Sequence, residues 1–105
     1  MDRISKIKEY LKESGDDSFL QHALALEYIK IDNDAEAKKL FEQILKREPG
    51  YLGSYYQLGK LLERMGEGKK AIEVYSKGME IAKSVNDSHT YNELRSASEE
   101  AEDEW

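Results

Sequence analysis

The sequence predicts an all-α protein in which about six antiparallel helices stack into one superhelix. Three observations lead to this fold class. The chain has 105 residues, a length that suits a single domain. It contains one proline and 36% charged residues, which is typical of helices with solvated, ion-paired faces. Most informatively, part of the sequence repeats at a fixed interval, equal to the distance along the chain from Leu24 to Leu58. A repeat of this length indicates stacked pairs of helices.

The repeat has two copies, which we place at about residues 18–51 and 52–85. Shifting the chain by one repeat interval superposes large residues on large ones and small residues on small ones. The matching pairs are Leu24 with Leu58, Ala25 with Gly59, Ala37 with Ala71, Phe41 with Tyr75, and the turn residues Asp32 with Gly66. Each copy is therefore predicted to be a helix, a turn and a second helix.

The N-terminal segment, residues 2–14, is predicted to be a helix that forms half of an earlier repeat. Ile7 and Leu11 lie one repeat interval before Phe41 and Leu45. Tyr10 lies at the same distance before Ile44. The match is imperfect, because Arg3 stands where the repeat would have alanine.

The first copy is predicted to contain two amphipathic helices. Ser18 and Gln21 have the spacing of a capping box at the start of the first helix. Its apolar stripe is predicted to be Leu20, Leu24, Tyr28 and Ile31. Asn33 and Glu36 suggest a similar start for the second helix, whose apolar face is Ala37, Phe41, Ile44 and Leu45. Pro49 and Gly50 then end that helix.

The second copy repeats this plan, with a longer last helix. Its first stripe is Leu52, Tyr55, Leu58, Leu62 and Met65, and its second is Ala71, Ile72, Tyr75, Met79, Ala82 and Val85. Lys83 replaces the expected proline, which predicts that this helix continues a little further. Asp87 and Ser88 can cap a final helix over residues 87–103, with Leu94, Ala97 and Ala101 on its inner side.

These positions resemble the tetratricopeptide repeat (TPR) family. The first copy supplies Leu24, Ala25, Tyr28, Ala37, Phe41, Ile44 and Pro49, and the second supplies Tyr55, Leu58, Gly59, Leu62, Ala71, Tyr75 and Gly78. The resemblance implies a right-handed superhelix, a TPR solenoid, that a solvating C-terminal helix closes. The copies depart from the motif at Gln21, where a large residue is usual, and at Lys83.

The same resemblance implies where a partner would bind, because the first helix of each TPR lines the concave surface. The residues carried over by register are Phe19, His22, Leu26 and Lys30 in the first copy, and Gly53, Tyr56, Gln57, Lys60 and Arg64 in the second. This set mixes apolar side chains with bases. It predicts an unknown protein or peptide partner, apolar with acidic residues. The alternative to a binding surface is that these side chains are simply solvated, or are covered by the chain's own ends.

Some TPR domains hold a chaperone's C-terminal carboxylate with a clamp of lysines and asparagines. His22 and Leu26 stand where the first lysine and asparagine of that clamp would be, and Gln57 stands where a further asparagine would be. The third repeat of such a clamp is missing. The sequence therefore does not favour binding of an acidic chaperone tail in that mode.

Little in the sequence indicates catalysis, a cofactor or a metal. "GEGKKA" at 66–71 matches a dinucleotide-binding pattern, but a helix rather than a strand is predicted before it, which favours an interhelix turn. The acids after Asp32 lack the glycine and the twelfth-position acid of a calcium loop. His22 and His89 have no partners at zinc-binding spacing, and cysteine does not occur. We predict no enzyme activity, no cofactor and no metal site.

Charge and hydropathy narrow the remaining classes of function. The net charge is −6, and omitting the five acids of "EEAEDEW" brings it to −1. A near-neutral body with an acidic end disfavours nucleic acid as a partner. No run of 18 apolar residues predicts a membrane span, and the N-terminal stretch lacks the apolar centre of a signal peptide. The expected compartment is the cytoplasm.

The leading hypothesis is thus a non-catalytic adaptor, a protein-binding scaffold that uses its concave face. The alternative is a self-associating structural protein, a homodimer that buries the incomplete end of the array on a second copy. A third hypothesis, an enzyme, rests only on "GEGKKA" and the two histidines.

Overall fold

Residues 2–105 are described by a computed structural model, and within them the chain forms six α-helices and no strand. The helices are α1 Arg3–Ser14, α2 Ser18–Lys30, α3 Asp34–Arg47, α4 Gly53–Arg64, α5 Gly68–Ser84 and α6 Ser88–Glu104. Each helix packs against the next along the chain, and α6 also contacts α4. The predicted all-α fold class is confirmed.

Side-chain caps fix the beginnings of four of these helices. An oxygen of the capping residue accepts a hydrogen bond from a backbone amide three residues later. The pairs are Asp2 with Ser5 (2.8 Å), Asp17 with Leu20 (3.1 Å), Asn33 with Glu36 (3.4 Å), and Asp87 with Thr90 (3.0 Å). The starts predicted at Asn33 and at Asp87 are thereby confirmed.

The predicted capping box at Ser18 and Gln21 is wrong. Asp17, one residue earlier, is the N-cap of α2, because its carboxylate supplies the acceptor that the free amides need. Ser18 is buried, and its hydroxyl donates to Glu48 Oε1 at 2.9 Å. Gln21 is also buried and accepts from Arg47 Nη2 at 2.6 Å. Both residues therefore hold α2 to the end of α3.

The turn within each repeat has the same backbone conformation. Asp32 and Gly66, which occupy equivalent places in the two copies, have positive φ angles of 59° and 80°. Glycine takes this left-handed geometry without steric cost, and aspartate is among the few other residues that tolerate it. The repeat in the sequence is thus a repeat in the turns as well.

Small residues allow the paired helices to approach each other closely. A Cβ atom added at Gly59 would lie 2.1 Å from Cε1 of Tyr75, whose side chain is completely buried. Ala25, Ala37 and Ala71 are also completely buried. The large members of the pairs lie in like environments: Leu24 and Leu58 are each 4% exposed, and Phe41 and Tyr75 are each 0% exposed. The expected contact between small and bulky residues is confirmed.

Some residues that we expected on apolar stripes lie outside the core. Ile31 and Val85 are each 60% exposed, because they are the C-cap residues of α2 and α5 and follow the last helical turn. Met65 occupies the corresponding place after α4 and is 38% exposed. The longer α5 is as predicted, since Lys83 still lies within the helix.

The acidic C-terminal residues belong to a helix that packs on the array. Leu94, Ala97 and Ala101 of α6 are buried, while the acids of the same helix stay in solvent. α6 ends at Glu104. The indole of Trp105 covers Gly68, where an added Cβ would lie 2.0 Å from the ring.

Candidate protein-binding surface

Eight of the nine predicted binding residues carry side chains on two helices, and we call these eight the α2/α4 face. The ninth, Gly53, is the first residue of α4. Phe19, His22, Leu26 and Lys30 belong to α2, and Tyr56, Gln57, Lys60 and Arg64 belong to α4. The two helices meet directly at one of these residues. His22 Nδ1 shares a hydrogen bond of 2.9 Å with Ser54 Oγ, so α2 and α4 are neighbours in the stack.

His22 lies between helices rather than on an open surface. Its ring is 5.4 Å from the ring of Phe41 and 5.7 Å from that of Tyr51. Its Cε1 lies 3.8 Å from where a Cβ of Gly53 would be, which is an ordinary van der Waals distance, so the imidazole packs over the start of α4. Burial lowers the pKa of His22 below its usual 6.5, which keeps the ring neutral at pH 7. This arrangement suits a structural contact.

Leu26 and Tyr56 supply the apolar part of the α2/α4 face. Both are partly buried, and both pack against the hydrophobic core. Lys60 Nζ lies 5.7 Å from the centre of the Tyr56 ring, within the range of a cation–π contact. These side chains are held in place by their neighbours while part of each surface stays accessible.

All three bases of the α2/α4 face already have an acidic partner in the same chain. Lys30 Nζ lies 2.9 Å from Glu27 Oε2, and Lys60 Nζ lies 3.9 Å from Glu100 Oε2. Arg64 makes a bidentate pair with Asp34, with Nη2–Oδ1 and Nε–Oδ2 distances of 2.6 and 3.1 Å. An acidic partner would have to compete with these carboxylates.

The ion pairs also shift the titration of the acids. The hydrogen bonds from Arg64 lower the pKa of Asp34 below its usual 3.8. The pKa of Glu27 is also lowered, mainly by its hydrogen bond from Lys30. Asp34 comes from the first turn of α3, and Glu100 comes from α6. The two acids that pair with α4 thus belong to other helices, and the sequence pattern of α4 alone does not indicate them.

Phe19 is the most exposed of the large apolar residues on this face, at 72%, and it also lines a groove with α1. That groove includes Tyr10, which is 49% exposed and was not among the predicted binding residues. A signal was available: Tyr10 matches the position of Ile44, which the complete repeat buries fully. An aromatic residue at a core position of an incomplete repeat marks an uncovered core surface.

The features that had suggested chemistry lie in structural positions. Gly66 forms the turn before α5, and the indole of Trp105 covers Gly68 at the start of that helix. His89 is exposed at the start of α6, far in sequence from the half-buried His22. Among residues 2–105, no group of three His, Cys, Asp or Glu side chains could hold a metal ion.

A membrane-spanning segment is also lacking in the part of the chain that the structure describes. None of its helices combines the length and the apolar composition that crossing a bilayer requires.

Comparison with known proteins gives a consistent result. The tetratricopeptide repeat family matches residues 35–89, which is more than half of the chain. A tetratricopeptide repeat domain protein from Salinibacter ruber, solved by NMR, is 40% identical over 83% of this chain and 88% of its own, with a TM-score of 0.80. A search of curated proteins found no match.

More distant solved structures share the fold. A protein from Bordetella parapertussis is 21% identical over 99% of this chain and 90% of its own, with a TM-score of 0.85. The TPR2B domain of yeast Sti1, solved as a complex with pHsp70, is 16% identical over 97% of this chain and 82% of its own, with a TM-score of 0.89. From the family match and the Salinibacter relative, the chain belongs to the tetratricopeptide repeat family.

Proposed function

We propose that this chain is a non-catalytic adaptor that binds a protein or peptide segment on the α2/α4 face. The observation that carries the proposal is the state of Leu26 and Tyr56. Each side chain packs on the core on one side and keeps an accessible surface on the other. Large side chains that are already held in place lose little conformational entropy on binding, which is typical of interface anchors.

The charges of the same face define the partner further. Because Lys30, Lys60 and Arg64 are paired within the chain, they add little net attraction for a strongly acidic ligand. We therefore propose a segment whose centre is apolar and fills the space beside Leu26 and Tyr56. Acidic residues at its edge would exchange with Glu100 at Lys60, the longest of the three ion pairs at 3.9 Å.

The Sti1 domain supports a peptide as the class of partner, since that domain was solved in complex with pHsp70. This chain has His22, Leu26 and Gln57 where a carboxylate clamp would have lysine and asparagine. His22 is neutral and hydrogen-bonded to Ser54. The proposed mode therefore relies on apolar contact, and it does not use a clamp on a terminal carboxylate.

The experiment compares tagged wild-type protein with a Leu26→Glu/Tyr56→Ala variant in pull-downs from extracts of the native host. We expect the variant to lose specific partners, with about tenfold weaker binding from the loss of Tyr56 alone. The matched control is Ile31→Ser/Val85→Ser, which removes two exposed apolar side chains elsewhere and should retain every partner. Helix content by circular dichroism confirms that each variant is folded. Equal recovery by all three proteins would exclude this face.

A further inference from the structure

A second surface lies at the N-terminal end of the stack, in the groove between α1 and α2. The groove has a volume of about 340 Å³ and is lined by Ile7, Tyr10, Phe19 and Leu20, with Arg3 and Lys6 at its rim. Two of these side chains are among the most exposed large hydrophobic residues, with Phe19 at 72% and Tyr10 at 49%. We call this surface the α1/α2 groove.

The internal repeat identifies the corresponding groove in the rest of the molecule. A shift by one repeat interval carries Ile7 to Phe41, Tyr10 to Ile44, Phe19 to Gly53, and Leu20 to Ser54. These residues line the junction of α3 with α4. At that junction Phe41, Ile44 and Ser54 are all 0% exposed.

A helix covers the junction of α3 with α4, and that helix is α2. Its His22 lies against the Phe41 ring at 5.4 Å, is hydrogen-bonded to Ser54, and reaches over Gly53. The next junction, of α5 with α6, is covered in the same way by α4. There Tyr55 lies 2.8 Å from where a Cβ of Gly78 would be. Each junction is thus filled by the helix that precedes it, whereas no helix precedes α1 among residues 2–105.

We propose that the α1/α2 groove binds an amphipathic α-helix of a partner protein, seated as α2 is seated on α3 and α4. This interaction is separate from the one proposed for the α2/α4 face, although Phe19 belongs to both surfaces. The groove already offers the apolar floor that the repeat uses twice for the same purpose. A bound helix would cover Tyr10 and Phe19.

The rim determines the charge of the helix that fits. Arg3 and Lys6 stand where the complete junction has Ala37 and Leu40. The side chain of Arg3 is 70% exposed, with its Nε 3.3 Å from Glu27 Oε2, and Lys6 is exposed. Because Arg3 already pairs with Glu27, Lys6 supplies most of the attraction for an acid. The fitting helix therefore carries aspartate or glutamate beside its apolar stripe, where a carboxylate can meet Lys6.

A second copy of this chain fits less well. In a two-fold dimer each groove would meet itself, and Arg3 and Lys6 would face the same bases of the other copy. In a head-to-tail contact the available helix is α6, whose apolar residues Leu94, Ala97 and Ala101 are already buried in its own array. Its outward face offers charge without an apolar stripe.

The test uses two synthetic helical peptides of about 18 residues, a length that can hold a helix. Both carry the same Leu/Ala stripe at helical spacing, and only the flanking residues differ, glutamate in one and lysine in the other. Each is titrated into ¹⁵N-labelled full chain while amide shifts are followed. We expect the glutamate peptide to shift amides of α1 and the first half of α2, and to bind about fivefold more tightly than the lysine peptide.

Variants locate the effect without touching the α2/α4 face. Tyr10→Ser should weaken the glutamate peptide, Lys6→Glu should remove or reverse the preference between the peptides, and the control Ile31→Ser should change neither. Equal affinity for the two peptides, or shifts confined to other helices, would overturn the proposal. So would a concentration-dependent dimer in sedimentation that Tyr10→Ser abolishes, since a second copy would then be the occupant. Because Leu26 and Tyr56 are intact in these variants, failure here leaves the adaptor proposal standing.

Discussion

Replacing Gly59 by alanine should destabilise the protein more than any other single methyl group added to α4. The added Cβ would lie 2.1, 2.5 and 2.7 Å from three atoms of the Tyr75 ring. Ordinary van der Waals contact begins at 3.4 Å, so the ring or the helix must move by more than an ångström. The ring cannot turn aside easily, because it is fully buried and its hydroxyl donates to Glu63 Oε2 at 2.5 Å.

The magnitude follows from two opposing effects. Overpacking of this severity costs about 3 kcal/mol. Alanine recovers about 1 kcal/mol, because it is a better helix former than glycine. The net loss in free energy of unfolding is about 2 kcal/mol, or roughly 10 °C in melting temperature for a chain of this size.

Urea unfolding followed by circular dichroism at 222 nm measures this difference. The matched control is Gly53→Ala at the start of the same helix, where the nearest atom would be His22 Cε1 at 3.8 Å. We expect the control to lie within about 0.5 kcal/mol of wild type. If the two variants were equally stable, the close contact between α4 and α5 would not be where we describe it.

Three further predictions test other parts of the structure. Gly68→Ala places a Cβ 2.0 Å from the Trp105 indole, but the indole lies at the end of the chain and can move away. The free energy of unfolding should therefore change by less than about 0.5 kcal/mol, while tryptophan emission shifts toward longer wavelength. Unchanged emission would mean that the indole does not cover Gly68. Arg64→Met removes the partner that lowers the pKa of Asp34. Wild type should therefore be more stable than the variant above pH 3.8, and this advantage should be lost as the pH falls through the lowered pKa. Urea unfolding of both proteins at pH 7, 4 and 2.5 checks this, and a stability difference that stays constant with pH would contradict it. Arg47→Met leaves the buried side-chain oxygen of Gln21 without its donor at 2.6 Å, which should lower the free energy of unfolding by about 1–3 kcal/mol in thermal unfolding. The control Lys46→Met, which changes an exposed base, should have little effect. Similar values for the two variants would refute the role of Arg47.

The fold could be predicted because its information is local and repeated. Leu24 with Leu58 and Phe41 with Tyr75 indicate the same environment twice, and Ala25 with Gly59 indicates the close contact. The helix starts at Asn33 and Asp87 were also readable, since a cap lies within three residues of the amide that it serves. The cap of α2 was missed because three adjacent residues, Asp16, Asp17 and Ser18, all qualify by residue type.

The candidate binding surface was less predictable, because it depends on contacts between distant residues. His22 has the register of a surface position, but its ring packs against Phe41 and shares a hydrogen bond with Ser54, which is 32 residues away. The sequence does not indicate that Arg64 and Lys60 have acidic partners, because Asp34 and Glu100 come from other helices. Whether the α2/α4 face binds a partner stays a prediction.

The stacking of paired helices through Gly59 and Tyr75 underlies both proposed surfaces, and proton NMR tests it directly. A nuclear Overhauser spectrum of the full chain should show strong cross-peaks between the Gly59 α-protons and the ring protons of Tyr75. Cross-peaks from that ring only to residues of its own helix, with none to Gly59, would contradict the arrangement from which both surfaces are built.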